Sequence, residues 1–560
     1  MAKLVSPPFV CLRCRLARPR RPQRFFPGST LSRLASTSSA SSIPTSGDAN
    51  DLPITSRPTT APKPNIDTKH IRQNVSLYEQ NSLERNYKAQ SAYPARIAEL
   101  FAQWQARQRD GRTLRERGNY LRRQIANPTS IQHEDEDEAA ESRGGQSTAE
   151  SKAGDTGIAA GPDTKTMTKA QLIEEARVVK ERLSSIEQDE THLEAQIAEL
   201  SLAIPNLTSA ETPRGDEPRV LRYINEQPVL ESSSSSDPVW RSHVHIGSEL
   251  GILDFAAAAT TSGWGWYYLL DAGAQLEQAL ISYALHTVAS RKSGWRQVAP
   301  PSIVYSHIAA ACGFQPRDQH GEQQVYGLAR SAADAQHSKP ELCLSGTAEI
   351  PLAGLKANTV IEEAELPIKR VAVSRCYRAE AGGRGADTKG LYRVHEFTKV
   401  EMFAWTPPDE GATAAVFDEI LDIQTQILRE LGLHCRVLEM PSTDLGASAY
   451  RKCDIEAFFP SRRQPQRGDE GWGEVTSASI CTDYQARRLA TRLRPSAPTA
   501  SGAKTAYPWT VNGTALAVPR VLAAVLEKGW DEEEKTVAIP DCLVPWMGGK
   551  KEIGVKDWQQ

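Results

Sequence analysis

The chain is expected to adopt an α+β fold in which a long antiparallel hairpin of helices precedes a larger globular domain of mixed strands and helices. Three observations predict it. Leu172, Ala176, Val179, Leu183, Ile186, Leu193, Ile197 and Leu200 recur on alternating steps of four and three residues, interrupted only by Glu190, which is the heptad seam of a coiled coil. A rougher seam of Ile97, Leu100, Trp104, Leu114, Leu121 and Ile125 comes before it, with Arg107, Gly111 and Gly118 at the remaining positions. From about residue 240 onward, apolar runs mix with Gly, Pro and aromatic residues and low complexity ends, as in a packed domain.

The second seam makes a rod of about 50 Å at 1.5 Å per residue. The two helices differ in charge. Arg96, Arg107, Arg109, Arg112, Arg115, Arg117, Arg122 and Arg123 stand on the first against Glu99, Asp110 and Glu116. The second carries Glu174, Glu175, Glu181, Glu187, Asp189, Glu190, Glu194 and Glu199. Such an asymmetry either pairs the helices with each other or presents one basic face to a phosphate backbone, and the two roles are compatible. Residues 127–166 between the seams contain HEDEDEAAES and a Gly/Ser/Ala-rich run; they are expected to be a disordered acidic insertion at the hairpin tip.

The flanks are also informative. The stretch 1–48 carries Lys3 and seven arginines, one acid (Asp48) and a Ser-rich tail. That composition fits a mitochondrial or plastid transit peptide, and the lack of a continuous apolar core argues against a secretory signal. Residues 49–66 (Pro/Thr-rich) and 211–239 are expected to be linkers, which leaves 67–210 as the arm and 240–552 as the globular domain. A formal net charge of −3 excludes a uniformly basic nucleic-acid binder. No apolar run approaches the ~20 residues of a membrane span. Cys11 and Cys14 form a CxxC inside the presequence, and the other seven cysteines are scattered singly, so no zinc site is expected.

Three stretches concentrate polar residues and glycine between apolar flanks: Leu344–Leu355 (LSGTAEIPLAGL), Ser374–Phe403 and Val511–Glu527. In the second, Arg378 and Glu380 share a face if they lie on a strand. A Gly-rich charged loop follows, and RVHEFTKVEMF then alternates as a strand should. This strand–loop–strand could hold a nucleotide, with Arg on phosphate and Phe on the base. It could equally be a surface hairpin held by ion pairs.

These residues carry a resemblance. R-x-E, a Gly-rich loop and D-T-K-G-L-Y-R-V-H-E-F-T-K-V-E resemble motif 2 of the class II seryl-tRNA synthetases. SGTAEIPLAGL resembles that family's serine-binding loop, and NGTALAVPRVLAAVLE its motif 3. VAPPSIV, with Pro301, resembles motif 1, the dimer-forming strand; DLGASAYRKCDIEAFFP, GEVTSASICTDYQARRLATRLRP, DTKHIRQN and LSLAIPNL resemble further family segments. The resemblance runs from about residue 66 to about residue 549.

The resemblance implies a catalytic domain built on a mainly antiparallel sheet flanked by helices, preceded by a tRNA-binding coiled-coil arm. It implies an ATP-dependent serine–tRNA ligase with ATP, L-serine and tRNA(Ser) as substrates, Mg2+ with the ATP, a homodimer, and no membrane partner. Together with the N-terminal composition it implies the mitochondrial matrix. By the same route Arg378 and Arg520 are the catalytic cations. Serine falls to Thr347, Ala348, Glu349, Glu401 and Thr514. ATP falls to Arg378, Ala379, Glu380, Phe397, Glu474, Val475, Thr476, Ser477 and Arg520, with Glu474 and Ser477 toward Mg2+. Retention of Arg378, Arg520 and Thr347–Ala348–Glu349 argues against a non-catalytic paralogue, and the arm argues against an enzyme that loads a carrier protein. Departures from the pattern are Glu396 where Gln is usual, Thr514–Ala515 for Ser-Gly, and no arginine after the glycine in SGWGWYYLL. Glu396 is expected to add charge beside the adenine site, and the Thr514 and Ala515 methyls to narrow the serine site.

Overall fold

The computed structural model describes residues 61–126, 167–227, 241–314, 324–331, 333–334, 339–380, 390–463, 470–497 and 504–554. The expected presequence 1–48, most of the linker 49–66, the insertion 127–166 and the motif 2 loop between 381 and 389 lie outside them. The described residues all belong to one unit, Arg57–Gln560.

Two short helices, α1 (Thr68–Gln73) and α2 (Val75–Glu84), lead into the long pair α3 (Tyr93–Ala126) and α4 (Lys169–Ala203). Thr168 starts α4 with a capping box to Gln171. Ile97, Leu100 and Ile197 form one apolar cluster of the seam, and Leu121, Leu172 and Val179 another. The irregular positions meet each other. A Cβ on Gly111 would lie 3.0 Å from Glu190 Oε1, so the missing side chain on α3 makes room for the acid that interrupts α4. Arg107–Asp189, Arg115–Glu187 and Arg117–Glu175 bridge the helices at 3.4, 3.4 and 2.8 Å. Exposed pairs such as the first two contribute about 0.2–1 kcal/mol each, whereas burying one Leu contributes about 1.5–3 kcal/mol; the seam therefore holds the hairpin and the charges fix its register. Arg109, Arg112, Arg122 and Arg123 remain exposed, so both roles expected of the basic helix have residues to serve them.

The arm is riveted to the globular domain by its backbone. The buried Arg85 donates to the carbonyls of Asn206, Leu207 and Gly446. Asn206 donates to those of Ser448 and Cys481 at 2.9 Å. Arg488, also buried, caps Leu202 and Ile204 at the end of α4.

Within the domain, in chain order, we number β1 (Arg219–Ile224), α5 (Ala272–Ser290), β2 (Arg296–Val298), β3 (Ile303–Tyr305), β4 (Leu342–Leu344), α6 (Glu349–Gly354), β5 (Ile368–Tyr377), β6 (Glu396–Thr406), α7 (Glu410–Glu430), β7 (Cys435–Glu439), β8 (Arg451–Phe458), β9 (Trp472–Thr482), α8 (Tyr484–Leu489), β10 (Trp509–Ala517) and α9 (Val518–Gly529). Eight strands form one sheet in the order β1-β7-β8-β9-β10-β6-β5-β2, antiparallel except for β2 against β5. One departure from expectation is β1. It lies inside the stretch 211–239 taken as linker, because RVLRYI is rich in residues that suit a strand and pairs with β7 along the sheet edge.

Alternation along the strands sorts the side chains into two layers. Val400, Met402, Ala404, Ala478, Ile480 and Val511 point to the back, where α5, α7 and α9 cover them in the main core. Phe403 and Trp405 point to the front and join a second core with α6 and α8. The rest of the front face is open, and the polar residues singled out above gather there.

Candidate active site

The pocket arises from a fork between the two central strands. β9 and β10 are paired from Thr482↔Thr510 to Ala478↔Gly513; beyond that pair both strands continue and their ladder ends. An open cleft of about 530 Å³ lies there. Nine of the expected residues line it: Arg378, Glu380, Phe397, Glu474, Val475, Thr476, Ser477, Thr514 and Arg520.

Glu474 and Ser477 are three apart and would face opposite ways on a regular strand. A bulge corrects this. β9 pairs Ser477 with Asp454 and Thr476 with Ile455, but Glu474 with Glu456, so Val475 is the extra residue. Asp454 and Glu456 share a face of β8, and so therefore do Ser477 and Glu474. Two hard oxygen donors thus converge on one side of the sheet, a set that suits Mg2+, which keeps several waters and takes its other ligands from phosphate.

The cleft is strongly cationic. Packing against the protein works against ionisation of Glu474, yet Arg520, Lys452, Arg378 and Lys399 outweigh it and hold its carboxyl well below the usual range. Burial instead pushes Asp454 up, against the pull of Lys452. Arg520 enters from the first turn of α9. It donates to the Tyr392 carbonyl at 2.9 Å and to the carbonyl and carboxylate of Glu474 at 2.8 and 3.2 Å.

At the other wall, the Arg378 guanidinium lies 5.3 Å from the centre of the Phe397 ring. Its backbone is locked: Arg378 N donates to the His395 carbonyl, and the His395 ring lies 2.9 Å from the Arg378 carbonyl. Glu380 takes a left-handed φ of 48°, unusual for a non-glycine residue, and is ion-paired with Arg393. Ala379 contributes its backbone, donating to the Gln324 carbonyl.

The residues expected to bind serine sit deeper. Thr347, Glu349, Glu401 and Thr514 are all buried. Thr514 Oγ1 donates to Glu401 Oε2 at 3.2 Å, across the register pair Thr514↔Glu401. Lys399 Nζ joins the same carboxylate at 2.8 Å and Thr347 Oγ1 at 3.3 Å. Lys399 was not among the expected ligands, although its place two residues before Glu401 puts it on the same face and in the cleft wall. Gln485 was missed as well; its amide donates to Glu349 Oε1 at 2.6 Å. Burial, with Glu401 adding to it, pushes Glu349 up to about 7, against the pull of Lys399, Gln485 and Asn512. Ala348 is wholly buried at the start of α6 and supports this wall without lining the cleft.

Two expected effects of the departures are corrected by the strand faces. Glu396 alternates away from Phe397 and turns to Arg375, 3.8 Å away, so its charge is not beside the ring. Ala515 occupies a bulge of β10 between Thr514 and Leu516 and packs into the main core; its methyl does not narrow the serine site. In SGWGWYYLL, Trp264 and Trp266 flank the His395 ring at 5.7 and 5.9 Å, and Gly265 is required there because a Cβ would meet His395 Cδ2 at 2.4 Å.

Comparison with known proteins bears on the family and the fold. The sequence profile of the tRNA synthetase class II core domain (G, H, P, S and T) matches residues 332–529. The mitochondrial serine–tRNA ligase of Saccharomyces cerevisiae is 41% identical over 379 residues, 67% of this chain and 78% of that protein. The serine–tRNA ligase of Rubrobacter xylanophilus is 39% identical over 384 residues, 68% of this chain and 82% of that protein. The crystal structure of seryl-tRNA synthetase from Pyrococcus horikoshii complexed with ATP superposes with a TM-score of 0.68 at 28% identity, over 88% of this chain and 99% of that one. With the arm, the antiparallel sheet and the forked cleft in place, the chain belongs to the seryl-tRNA synthetase family.

Proposed function

We propose that the cleft activates serine with ATP and passes the seryl group to the terminal adenosine of tRNA(Ser). The observation that carries this reading is the buried chain Thr347–Lys399–Glu401–Thr514 beside a cationic pocket. A serine seated there meets carboxylates for its ammonium group and hydroxyl, with Arg378 at the mouth for its carboxylate. In the first step a serine carboxylate oxygen attacks the α-phosphorus, the bond to the bridging oxygen breaks, and pyrophosphate leaves. The nucleophile belongs to the substrate, so the protein's part is alignment and cationic stabilisation. In the second step a ribose hydroxyl of the terminal adenosine attacks the seryl carbonyl, and AMP leaves.

Arg378 bridges the reacting carboxylate and α-phosphate, Phe397 stacks on adenine, Glu380 accepts from its amine, and Arg520 holds the distal phosphates. Glu474 and Ser477 would hold Mg2+, which when bound neutralises phosphate charge. A site that pairs the substrate hydroxyl with buried polar groups leaves those groups unsatisfied when alanine binds, and so rejects it. The test is ATP–pyrophosphate exchange by the chain lacking its first 35 residues or so, with serine, threonine, alanine and glycine; serine-independent or absent exchange from folded protein would end this reading.

The raised Glu349 titration gives a signed expectation. Below about pH 7 the carboxyl is protonated, and an arriving ammonium group must displace that proton. The KM for serine should therefore rise by up to about tenfold per pH unit below 7 and level off above it. Glu349→Gln should flatten that profile. The same shift makes folding weaker as pH climbs from the ordinary carboxylate value to 7, because the folded chain keeps a proton that the unfolded chain releases.

The division of labour between arm (67–210) and catalytic domain (240–552), the homodimer and the address belong to the same proposal. The antiparallel pair of β3 and β4 buries Val304 and leaves Ile303 and Tyr305, on its other face, 50% and 46% exposed; with its motif 1 resemblance this supports a two-fold contact there. The acid-poor, arginine-rich stretch 1–48, together with relatives named as mitochondrial in yeast, fission yeast and mouse, supports delivery to the mitochondrial matrix. Residues 1–50 fused to a fluorescent reporter should colocalise with mitochondria, and a diffuse cytosolic signal would contradict it.

A further inference from the structure

Seen from behind the sheet, the fork between β9 and β10 is bridged by a side chain from the covering helix. Gln424 lies on α7, one turn after Ile420, and is fully buried. Its amide Nε2 donates to the Ser477 carbonyl at 2.8 Å and to the Thr514 carbonyl at 2.9 Å. Both partners are carbonyls, which fixes the amide orientation. These two residues are the first on either strand beyond the last ladder pair, Ala478↔Gly513. Their carbonyls have lost the cross-strand donors that a continuous ladder would supply, and a buried carbonyl needs a partner. Thr476 Oγ1 adds a second donor to the Thr514 carbonyl.

The approach of Gln424 depends on Gly513. A Cβ there would lie 2.4 Å from Ile420 Cγ2 and 3.3 Å from Gln424 Nε2, so any side chain would push the helix off the strands. Glycine within a central strand weakens it unless something must come close, and here it is Ile420, one turn before Gln424 on the same helix face, that comes closest.

The two bonded residues belong to different halves of the reaction. Ser477 faces the proposed cation site, and Thr514 holds Glu401 in the proposed serine site. We propose that Gln424 is a positioning residue that sets the distance between those two half-sites by tying the arms of the fork together from the core. This rests on the reading of Ser477 and Thr514 given above. Its signature is a coupled loss: withdrawing one amide, remote from both substrates, should disturb serine binding and cation binding together.

Gln424→Met keeps the shape and removes the donors. Gln424→Asn keeps the amide but shortens its reach, and serves if the Met variant does not fold. Ile420→Val, on the same helix face, trims packing without touching either carbonyl and is the stability-matched control. Three quantities are measured on full-length protein: the KM for serine in pyrophosphate exchange, Mn2+ binding by electron paramagnetic resonance in the presence of ATP and absence of serine, and the thermal midpoint. Each Gln424 variant is expected to raise the serine KM and the Mn2+ dissociation constant by fivefold or more, with Ile420→Val leaving both within twofold at a similar midpoint. A Gln424 variant that lowers the midpoint but leaves both constants unchanged, or moves only one, overturns the proposal. Ser477→Ala and Thr514→Val separate it from the underlying reading: if the first leaves Mn2+ binding and the second leaves the serine KM unaltered, the assignment of the half-sites fails instead.

Discussion

Replacing Arg378 with alanine is expected to lower serine-dependent pyrophosphate exchange on the order of 10³-fold, the largest single-residue effect in the chain. The reason is geometric as well as electrostatic. The residue follows β5, its N–H and carbonyl are both tied to His395, and its guanidinium is held near Phe397. That rigidity lets the side chain meet a developing charge without reorganisation. Arg378→Lys keeps the charge but loses the planar fork, so it should recover only a minor part of the rate. Arg520→Ala should do less damage to kcat and more to the KM for ATP, because its proposed contacts are with phosphates that leave. Exchange rates measured across serine and ATP concentrations separate these effects. Activity of Arg378→Ala within tenfold of the unmodified chain would remove Arg378 from the centre of the mechanism.

Much of this was legible because the relevant signals are local. The α4 seam shows in periodicity alone, and Phe397 and Glu401 alternate onto one face of β6; Arg378 lies just past the end of β5 and was legible through its resemblance to motif 2. Lys399 was visible on the same grounds but reads as an ordinary surface charge until Glu401 and Thr347 close around it. Position 424 offered a faint signal: a glutamine in the apolar stripe of Ile420, Ile423, Ile427 and Leu428 is out of place on a buried helix face. Its partners lie 53 and 90 residues away, and no periodicity encodes that. The bulges are harder still. Whether Glu474 and Ser477 share a face depends on one extra residue, Val475, which only the pairing with β8 defines. The same limit misled the expectations for Glu396 and Ala515, since each was judged by its departure from the family pattern, whereas Glu396 alternates away from Phe397 and Ala515 sits in a bulge that turns it into the core. The linker assignment of β1 failed because an edge strand exposed on both faces up to its last residue, Ile224, has no alternation to display.

Excising the distal arm should separate the two half-reactions completely. Arg107 and Asp189 face each other across the hairpin, so residues 108–188 can be replaced by a short Gly/Ser turn without moving the helix ends apart. The seam cluster of Ile97, Leu100 and Ile197 stays, and so do the rivets from Arg85, Asn206 and Arg488 that join the arm to the catalytic domain. Serine activation, which uses only the cleft, should remain within about twofold of the intact chain. Charging of tRNA(Ser) should fall by more than about 10³-fold, because the shortened chain loses Arg109, Arg112, Arg122 and Arg123 and with them the cationic surface for the phosphate backbone. Charge reversal of those four arginines in the intact arm distinguishes surface from scaffold. It should weaken tRNA binding most at low salt and leave exchange untouched, since electrostatic contacts to phosphate fade as salt rises. Equal loss of exchange and charging on excision would instead mean that the arm braces β9, and through it the Glu474–Ser477 end of the cleft. The half-buried hydrogen bonds from Asn206 to Cys481 and Thr482 make that second outcome physically meaningful, which is why the excision stops short of them.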